Sequence, residues 1–240
     1  MDPSGSGLAA VSSLDDPVRA RLYRVVSASP EAMGRDEAAA AAGIGRPLAA
    51  YHLDKLVELG LLTATYQRPV GRAGPGAGRP AKLYARSERE FAVAVPPREY
   101  ELAARLLAVA VQSDTSGASK AALCAAARQY GASLAACSRD DGSASPAVQS
   151  ALRQHGFEPW RDAAGAVQLR NCPFHQLAVE HTELVCGMNL ALIHGLIEGF
   201  GASAALHPQL DPQPGRCCVV IVDESQPSKD GDGQTTAGER

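Results

Sequence analysis

Four of the six cysteines lie in the last third of the chain, at Cys172, Cys186, Cys217 and Cys218. Thiolates bind zinc ions and iron–sulfur clusters, and neighbouring thiols can also act as a metal-free redox switch. These cysteines contain no Cys-x-x-Cys pair, so their spacing favours no single metal. It leaves open a zinc ion, an iron–sulfur cluster, or core cysteines in a domain that binds an organic effector or nothing.

A shared cysteine site requires a break in the sequence after Cys172, because one straight helix would hold Cys172 and Cys186 about 20 Å apart. Thr182 can cap a new helix, which predicts a short helix over 173–179 and a longer helix over 183–200. Cys186 then lies in the first turns of the longer helix. We expect the positive end of that helix to favour the Cys186 thiolate.

The cysteine doublet begins a predicted strand over 216–222. Successive strand side chains point to opposite faces, so we expect only one of the two, preferably Cys217, to join the site. Cys218, His175 and His181 are secondary ligand candidates. A histidine would complete a zinc site, whereas a cluster could keep a non-cysteine or open position.

The remaining composition narrows the class of protein. Cys124 and Cys137 have the character of small core residues. No segment approaches about 18 consecutive apolar residues and the start, MDPSGSG, does not resemble a signal peptide, so we expect a cytoplasmic protein with reduced cysteines and no membrane partner. Phosphate loops, nucleophile elbows and Ser-His-Asp spacings are missing from the sequence, which argues against an enzyme. The formal charge of −3 means that nucleic-acid binding would need a local basic patch.

Residues 35–62 have the pattern of two short helices joined by a tight turn, which is a helix-turn-helix. We predict a first helix over 35–42, a turn that uses Gly43 and Gly45, and a second helix that starts at Arg46. The buried stripe of this second helix is predicted to consist of Ala49, Leu53, Leu56 and Leu59.

The opposite face of the second helix carries the DNA-binding candidates Arg46, Pro47, Tyr51, His52 and Lys55. Exposed side chains near the N-terminus of such a helix enter the major groove of DNA. We therefore expect Arg46 and Tyr51 to reach base edges and Lys55 to reach phosphate.

A β-hairpin is predicted after the helix-turn-helix, with strands over 61–66 and 81–85 and a Gly- and Pro-rich tip between them. The stretch 68–86 holds five basic residues and no acidic one, so it would attract a phosphate backbone. This wing contributes the DNA-binding candidates Arg72, Arg79 and Lys82.

Two further helices are predicted over 99–112 and 118–137. Helices that follow a wing commonly form a dimer interface, and two-fold pairing doubles the contacts with a palindromic operator. We therefore expect a homodimer on double-stranded DNA.

The predicted fold class is α+β. Its parts are a disordered leader (1–13), a winged helix-turn-helix DNA-binding domain (14–95), a helical dimerisation segment (96–140), a small α+β sensor domain with an antiparallel sheet (146–224) and a disordered tail (225–240). Within the second half we predict a loop over 138–145, a short helix over 150–155 and a hairpin formed by 157–161 and 166–171.

The segment 14–87 resembles the winged-helix regulators of the broad ArsR-like class. The resemblance rests on DDPVRARLY, GRPLAAYHLDKLVELGLL and GRPAKLY. It implies a DNA-binding transcription regulator.

Over residues 14–223 the chain is similar to the SufR-like iron–sulfur repressors, through Asn-Cys-Pro at Cys172, a second cysteine in the next helix and a third after Gly-Arg. The resemblance implies a redox-sensing repressor that holds an iron–sulfur cluster, of the 4Fe–4S type, through Cys172, Cys186 and Cys217. The Cys217-Cys218 doublet and the text LVCGMNLALIHG depart from that pattern. The alternatives to a cluster are a zinc site, an organic effector, or a thiol switch in which Cys217 or Cys218 resolves Cys186.

Overall fold

The computed structural model describes residues 3–67, 80–94, 98–136, 144–213 and 215–224, and the chain divides into two compact units, 1–98 and 99–240. The strands β1 to β3 form an antiparallel sheet of order β1-β3-β2. The elements of the first unit are α1 (Pro3–Ser13), α2 (Pro17–Ala28), β1 (Met33–Gly34), α3 (Arg35–Ala42), α4 (Arg46–Glu58), β2 (Leu62–Gln67) and β3 (Ala81–Arg86).

The helix-turn-helix forms where the sequence predicts it. α3 ends at Ala42, and Gly43 adopts a φ of 65°, a left-handed conformation that glycine takes without a steric penalty. α4 then begins at Arg46 with a proline in its first turn. Both predicted helix starts are confirmed.

The core of the first unit consists of side chains from each of its helices and from the sheet. Leu59, predicted to be buried, lies at the C-cap of α4 and is only half-buried. His52 occupies a buried position on that helix instead, at 6% exposure. The largest fully buried side chains are Leu22, Val26, Leu53, Leu56, Leu62 and Tyr84.

The prediction of a disordered leader over 1–13 is wrong for residues 3–13, because they form α1. Ala10 is fully buried and belongs to the same core cluster as Leu22. The small residues of this segment suggested disorder, yet a small side chain is what allows a helix to pack closely on the core.

The two strands of the predicted wing are confirmed, since β2 pairs antiparallel with β3 from Leu62↔Arg86 to Gln67↔Ala81. The tip of the wing, 68–79, is outside the described residues. It includes the candidates Arg72 and Arg79.

The second unit contains a four-stranded antiparallel sheet of order β4-β5-β7-β6. Among the described residues no helix is both long enough and apolar enough to cross a membrane. The elements of this unit are α5 (Tyr100–Ser113), α6 (Ala118–Ala136), α7 (Ala144–Gln154), β4 (Pro159–Arg161), β5 (Val167–Leu169), α8 (His175–Glu180), α9 (Thr182–Gly199), β6 (Leu206–Leu210) and β7 (Val219–Asp223).

α9 is the central helix of the second unit and crosses α6 at very short range. A Cβ atom at Gly195 would collide with the backbone of Arg128, and one at Gly131 would collide with the backbone of Leu192. Glycine is therefore required on both sides of the crossing. The core around it includes Ile193, Leu196, Ile197, Val219 and Ile221.

Two helix predictions in this unit need correction. α7 begins at Ala144, so the predicted loop over 138–145 overlaps a helix and the predicted helix over 150–155 is too short. The buried hydroxyl of Ser145 donates a hydrogen bond of 3.0 Å to Asp223, a long-range contact that the local sequence does not show. Residues 138–143 and the predicted disordered tail, 225–240, lie outside the described ranges.

Two strand predictions also need correction. β6 was not predicted, because Pro208 interrupts its apolar pattern; at the edge of a sheet a proline is tolerated. β7 begins at Val219 and not at Arg216, so both cysteines of the doublet precede the strand.

Candidate functional site

The exposed face of α4 carries most of the DNA-binding candidates. Arg46 and Pro47 are exposed in its first turn, and the Tyr51 side chain follows one turn later with 63% exposure. Lys55 is partly exposed another turn along. This arrangement agrees with the predicted face.

His52 does not belong to that exposed face, because its side chain is buried at 6% exposure, and its contact with DNA stays a prediction. Its imidazole packs edge-on against the Tyr51 ring at a centroid distance of 5.1 Å. A polar residue at this position of the helix suggested exposure, but the helical spacing puts it beside the apolar stripe. His52 can support Tyr51 from the protein side.

Each basic candidate on or beside α4 already has an acidic partner. Arg46 pairs with Asp36 of α3 at 2.7 Å, and Lys55 pairs with Glu58 at 2.9 Å. Both pairs are exposed, so they cost little to break when a phosphate group approaches.

Lys82 is held differently, by a carboxylate that the sequence analysis missed. Asp54 of α4 accepts hydrogen bonds from Lys82 Nζ at 2.7 Å and from Tyr84 Oη at 2.8 Å. Burial acts to raise the pKa of Asp54, but the bonds from Lys82 and Tyr84 outweigh it and hold that pKa below its usual value. The alternation of Lys82 and Tyr84 on one face of β3 was the available signal.

The break that the cysteine site needs is present in the second unit. α8 ends at Glu180, α9 begins at Thr182, and Cys186 lies in the second turn of α9. The predicted cap is wrong in detail, because His181 is the N-cap residue and the Thr182 hydroxyl donates back to the carbonyl of Ala178 at 2.7 Å.

Cys217 is the acceptor at the centre of the cysteine group. Thiol hydrogen bonds from Cys172 and Cys218 lower the pKa of Cys217 well below its usual value, against the opposing effect of burial. The same contact, together with burial, raises the pKa of Cys172. A thiolate stabilised by two thiols is a strong candidate metal ligand or nucleophile.

Cys218 also belongs to this group, which corrects the expectation that only one residue of the doublet could join it. Because the doublet precedes β7, the two side chains do not alternate across a sheet. The Cys218 thiol lies within hydrogen-bonding reach of both Cys217 and Cys186, and these contacts with burial raise its pKa.

Asn189 is a further member of the site that sequence reasoning missed. It lies one turn after Cys186 on α9 and is fully buried. Its Nδ2 atom donates to Cys217 Sγ at 3.3 Å, while its Oδ1 atom has no hydrogen-bond partner among the described residues. An asparagine among the apolar residues in the middle of α9, three residues after a cysteine, was the available signal.

Neither histidine candidate has a recorded side-chain contact with the cysteine thiols among the described residues, although the His175 backbone N–H donates to the carbonyl of Cys172 at 3.0 Å. His175 is exposed on α8. His181 is buried, and its Nδ1 atom lies 2.6 Å from Oε1 of Gln112 in α5.

The described thiols are close enough to shift one another's pKa, and Asn189 donates to Cys217 Sγ at 3.3 Å. Over the ranges that the structure describes, no group of three or more His, Cys, Asp or Glu side chains has the geometry to hold a metal ion.

Comparison with known families gives a match over the first unit. Residues 14–64 match the family model of a helix-turn-helix domain. This part of the chain is a helix-turn-helix domain. The match supports a winged-helix regulator, and it ends before the second unit, which holds the cysteine group. No curated protein and no solved structure matches the chain significantly.

Proposed function

We propose that the protein is a sequence-specific DNA-binding transcription regulator that acts as a repressor. The observation that carries this proposal is the helix-turn-helix domain, whose α4 presents Arg46 and Tyr51 to solvent within its first two turns. Side chains at these positions of a recognition helix reach base edges. We call α4 the recognition helix below.

We further propose that the regulator is a homodimer on a palindromic operator. α5 supports this, because only Ala108 is buried along its length and its large apolar side chains project into solvent. A second copy would cover them and would set the spacing of two recognition helices. The exposed side chains are Tyr100, Leu102, Leu106, Leu107 and Val109.

DNA binding is tested with the full chain and fluorescently labelled duplexes selected from a random library. Phosphate contacts make such affinity fall steeply between roughly 50 and 200 mM salt. We expect an enriched motif with two-fold symmetry and this salt dependence. Failure to enrich any duplex at low salt would overturn the proposal.

For the second unit we propose an iron–sulfur cluster of the 4Fe–4S type held by Cys172, Cys186 and Cys217. The donor type supports such a group, since thiolates hold iron–sulfur clusters and the pKa of Cys217 is lowered. The three cysteine side chains would have to rearrange to bind it, because their present geometry does not form a metal site. The buried amide of Asn189 also lies at this group, since its Nδ2 atom donates to Cys217 Sγ and its Oδ1 atom has no hydrogen-bond partner among the described residues. When bound, the cluster would supply one-electron redox chemistry and sensitivity to oxygen.

The helix junction beside these cysteines is connected to α5 and α6. Gln112 of α5 contacts the His181 ring, Arg105 of α5 pairs with Glu180 at 3.1 Å, and Lys120 of α6 pairs with Glu183. A change at the cysteines that moves the start of α9 would therefore be felt by the proposed dimer helices. The ligand regulates only if it favours one arrangement over the other.

The nature of the bound group is tested by the visible spectrum and by iron, sulfide and zinc analysis of protein purified without oxygen. We expect a brown protein whose colour bleaches in air, and loss of iron in Cys172→Ser but not in the matched Cys124→Ser. About one zinc per chain, or no metal, would overturn the cluster.

A metal-free thiol switch is the second candidate, and the hydrogen bonds onto Cys217 favour it. The Cys217 thiolate would attack a peroxide, giving a sulfenic acid and hydroxide. The Cys172 thiol would then displace water from that sulfenic acid and form a disulfide, so that two electrons pass to the peroxide. Mass spectrometry of peroxide-treated protein would detect the loss of two hydrogens.

A further inference from the structure

Leu48 and Tyr51 form an apolar pair on the surface of the recognition helix. Leu48 is 45% exposed and Tyr51 is 63% exposed. Their three-residue separation makes them neighbours on one helical face. They are the third and sixth residues of α4, within the part of such a helix that enters the major groove.

The charged residues around this pair are paired with each other. Arg46 is bonded to Asp36, Lys55 to Glu58, and Lys82 to Asp54. The central surface of the helix therefore presents hydrocarbon and an aromatic ring, with ion pairs on its flanks.

The orientation of Tyr51 is supported from below. The His52 ring is buried and packs edge-on against the Tyr51 ring. A supported aromatic side chain loses less conformational entropy on binding than a free one.

One group on the major-groove edge of DNA matches such a surface. Thymine alone among the four bases presents a methyl group there, and apolar side chains make contact with it. We propose that Leu48 and Tyr51 read thymine methyl groups and thereby set the sequence preference of this regulator. This inference rests on the proposed DNA-binding function and names the chemistry that it recognises.

The test replaces single thymines of the selected duplex by deoxyuridine, which removes the methyl group and keeps the base pair. We expect about a fourfold loss of affinity at one or two positions per half-site, the effect of losing one buried methyl group. Leu48→Ala or Tyr51→Ala should remove the sensitivity at the position that each side chain reads. Leu210→Ala truncates a leucine of similar exposure on β6, and this variant should remain sensitive to deoxyuridine substitution.

Two results would overturn this inference while leaving the proposed function intact. One is wild-type binding that no deoxyuridine substitution weakens. The other is a loss of affinity on deoxyuridine substitution that is the same in Leu48→Ala and Tyr51→Ala as in wild type. If the deoxyuridine duplexes bind normally and Leu48→Ala dissociates the protein in the absence of DNA, the pair is a contact between two copies of the chain. Failure to select any duplex would overturn the proposed function itself.

Discussion

Asp54 of the recognition helix and Tyr84 of β3 are joined by a hydrogen bond of 2.8 Å between Oδ1 and Oη. Tyr84 is almost fully buried, and its burial followed by the bond to Asp54 raises the pKa of its hydroxyl. The same carboxylate holds Lys82. Asp54 thus fixes β3 relative to α4, the two elements that we propose bind one DNA duplex.

Asp54→Asn should lower the free energy of unfolding near neutral pH, because a charged acceptor for Lys82 and Tyr84 is lost. The folded-state pKa of Asp54 lies below its unfolded value of about 3.8. Its contribution to the free energy of unfolding is therefore fully present above pH 3.8 and is lost as the pH falls through the folded-state pKa. Urea unfolding should show that the difference in free energy of unfolding between Asp54→Asn and wild type becomes smaller from pH 7 to pH 3. Glu58→Gln is the control, and an equal pH dependence in both variants would contradict the role of Asp54.

Arg46→Ala should weaken binding to the selected operator and reduce the slope of log affinity against log salt by about 1 if the arginine contacts phosphate. If Arg46 contacts a base edge, affinity should fall with the slope unchanged and with relaxed specificity at one position. Anisotropy titrations at several salt concentrations distinguish the two. Arg153→Ala, an exposed arginine of α7, should behave as wild type. Unchanged binding by Arg46→Ala would exclude Arg46 from the interface.

Gly195→Ala should destabilise the second unit by about 2 kcal/mol or more, because the added methyl group meets the backbone of α6 and neither helix can yield cheaply. Gly187→Ala is a matched change on the same helix where a Cβ meets nothing within 4 Å. It should stabilise the unit by roughly 0.5–1 kcal/mol through its helix propensity. Urea unfolding measures the change in free energy of unfolding for each variant. Equal changes in Gly195→Ala and Gly187→Ala would disprove the close crossing of α6 and α9.

Gln112→Ala should loosen α5 from the start of α9, because it leaves the buried Nδ1 atom of His181 without its partner. An unsatisfied buried polar group costs about 1–3 kcal/mol. Hydrogen exchange of α5 and of the first turn of α9 should accelerate together. Ser113→Ala removes only a bond within α5, from its hydroxyl to Val109, and should leave α9 protected. If the first turn of α9 is equally protected from hydrogen exchange in both variants, Gln112 does not couple α5 to α9.

The local elements were predictable from sequence where short-range chemistry decides them. Asp16 caps α2 by accepting from the backbone N–H groups of Val18 and Arg19, and Gly43 ends α3, because each residue type has few other favourable uses at such a position. The break between α8 and α9 was predicted on the assumption that Cys172 and Cys186 share a site, and its position came from the capping residue type at Thr182.

Features that depend on distant partners were not predictable. The burial of His52 depends on the exact angle at which α4 packs, and the joining of Cys218 depends on where β7 begins. Asp54 and Asn189 acquire their roles from Tyr84 and Cys217, which lie 30 and 28 residues away. The pattern within β3 or α9 marks these residues as unusual, but it does not identify their distant partners.

In the regulator that we propose, the cysteine group controls the affinity of the recognition helix for DNA. The most direct measurement is the operator affinity of the full chain, prepared without oxygen, before and after treatment with hydrogen peroxide. We expect a change in affinity of about tenfold for wild type and for Cys124→Ser, within the usual range of coupling between sites, and no change for Cys172→Ser. A Cys172→Ser variant that binds the operator and responds to peroxide as wild type does would contradict control of DNA affinity by the cysteine group.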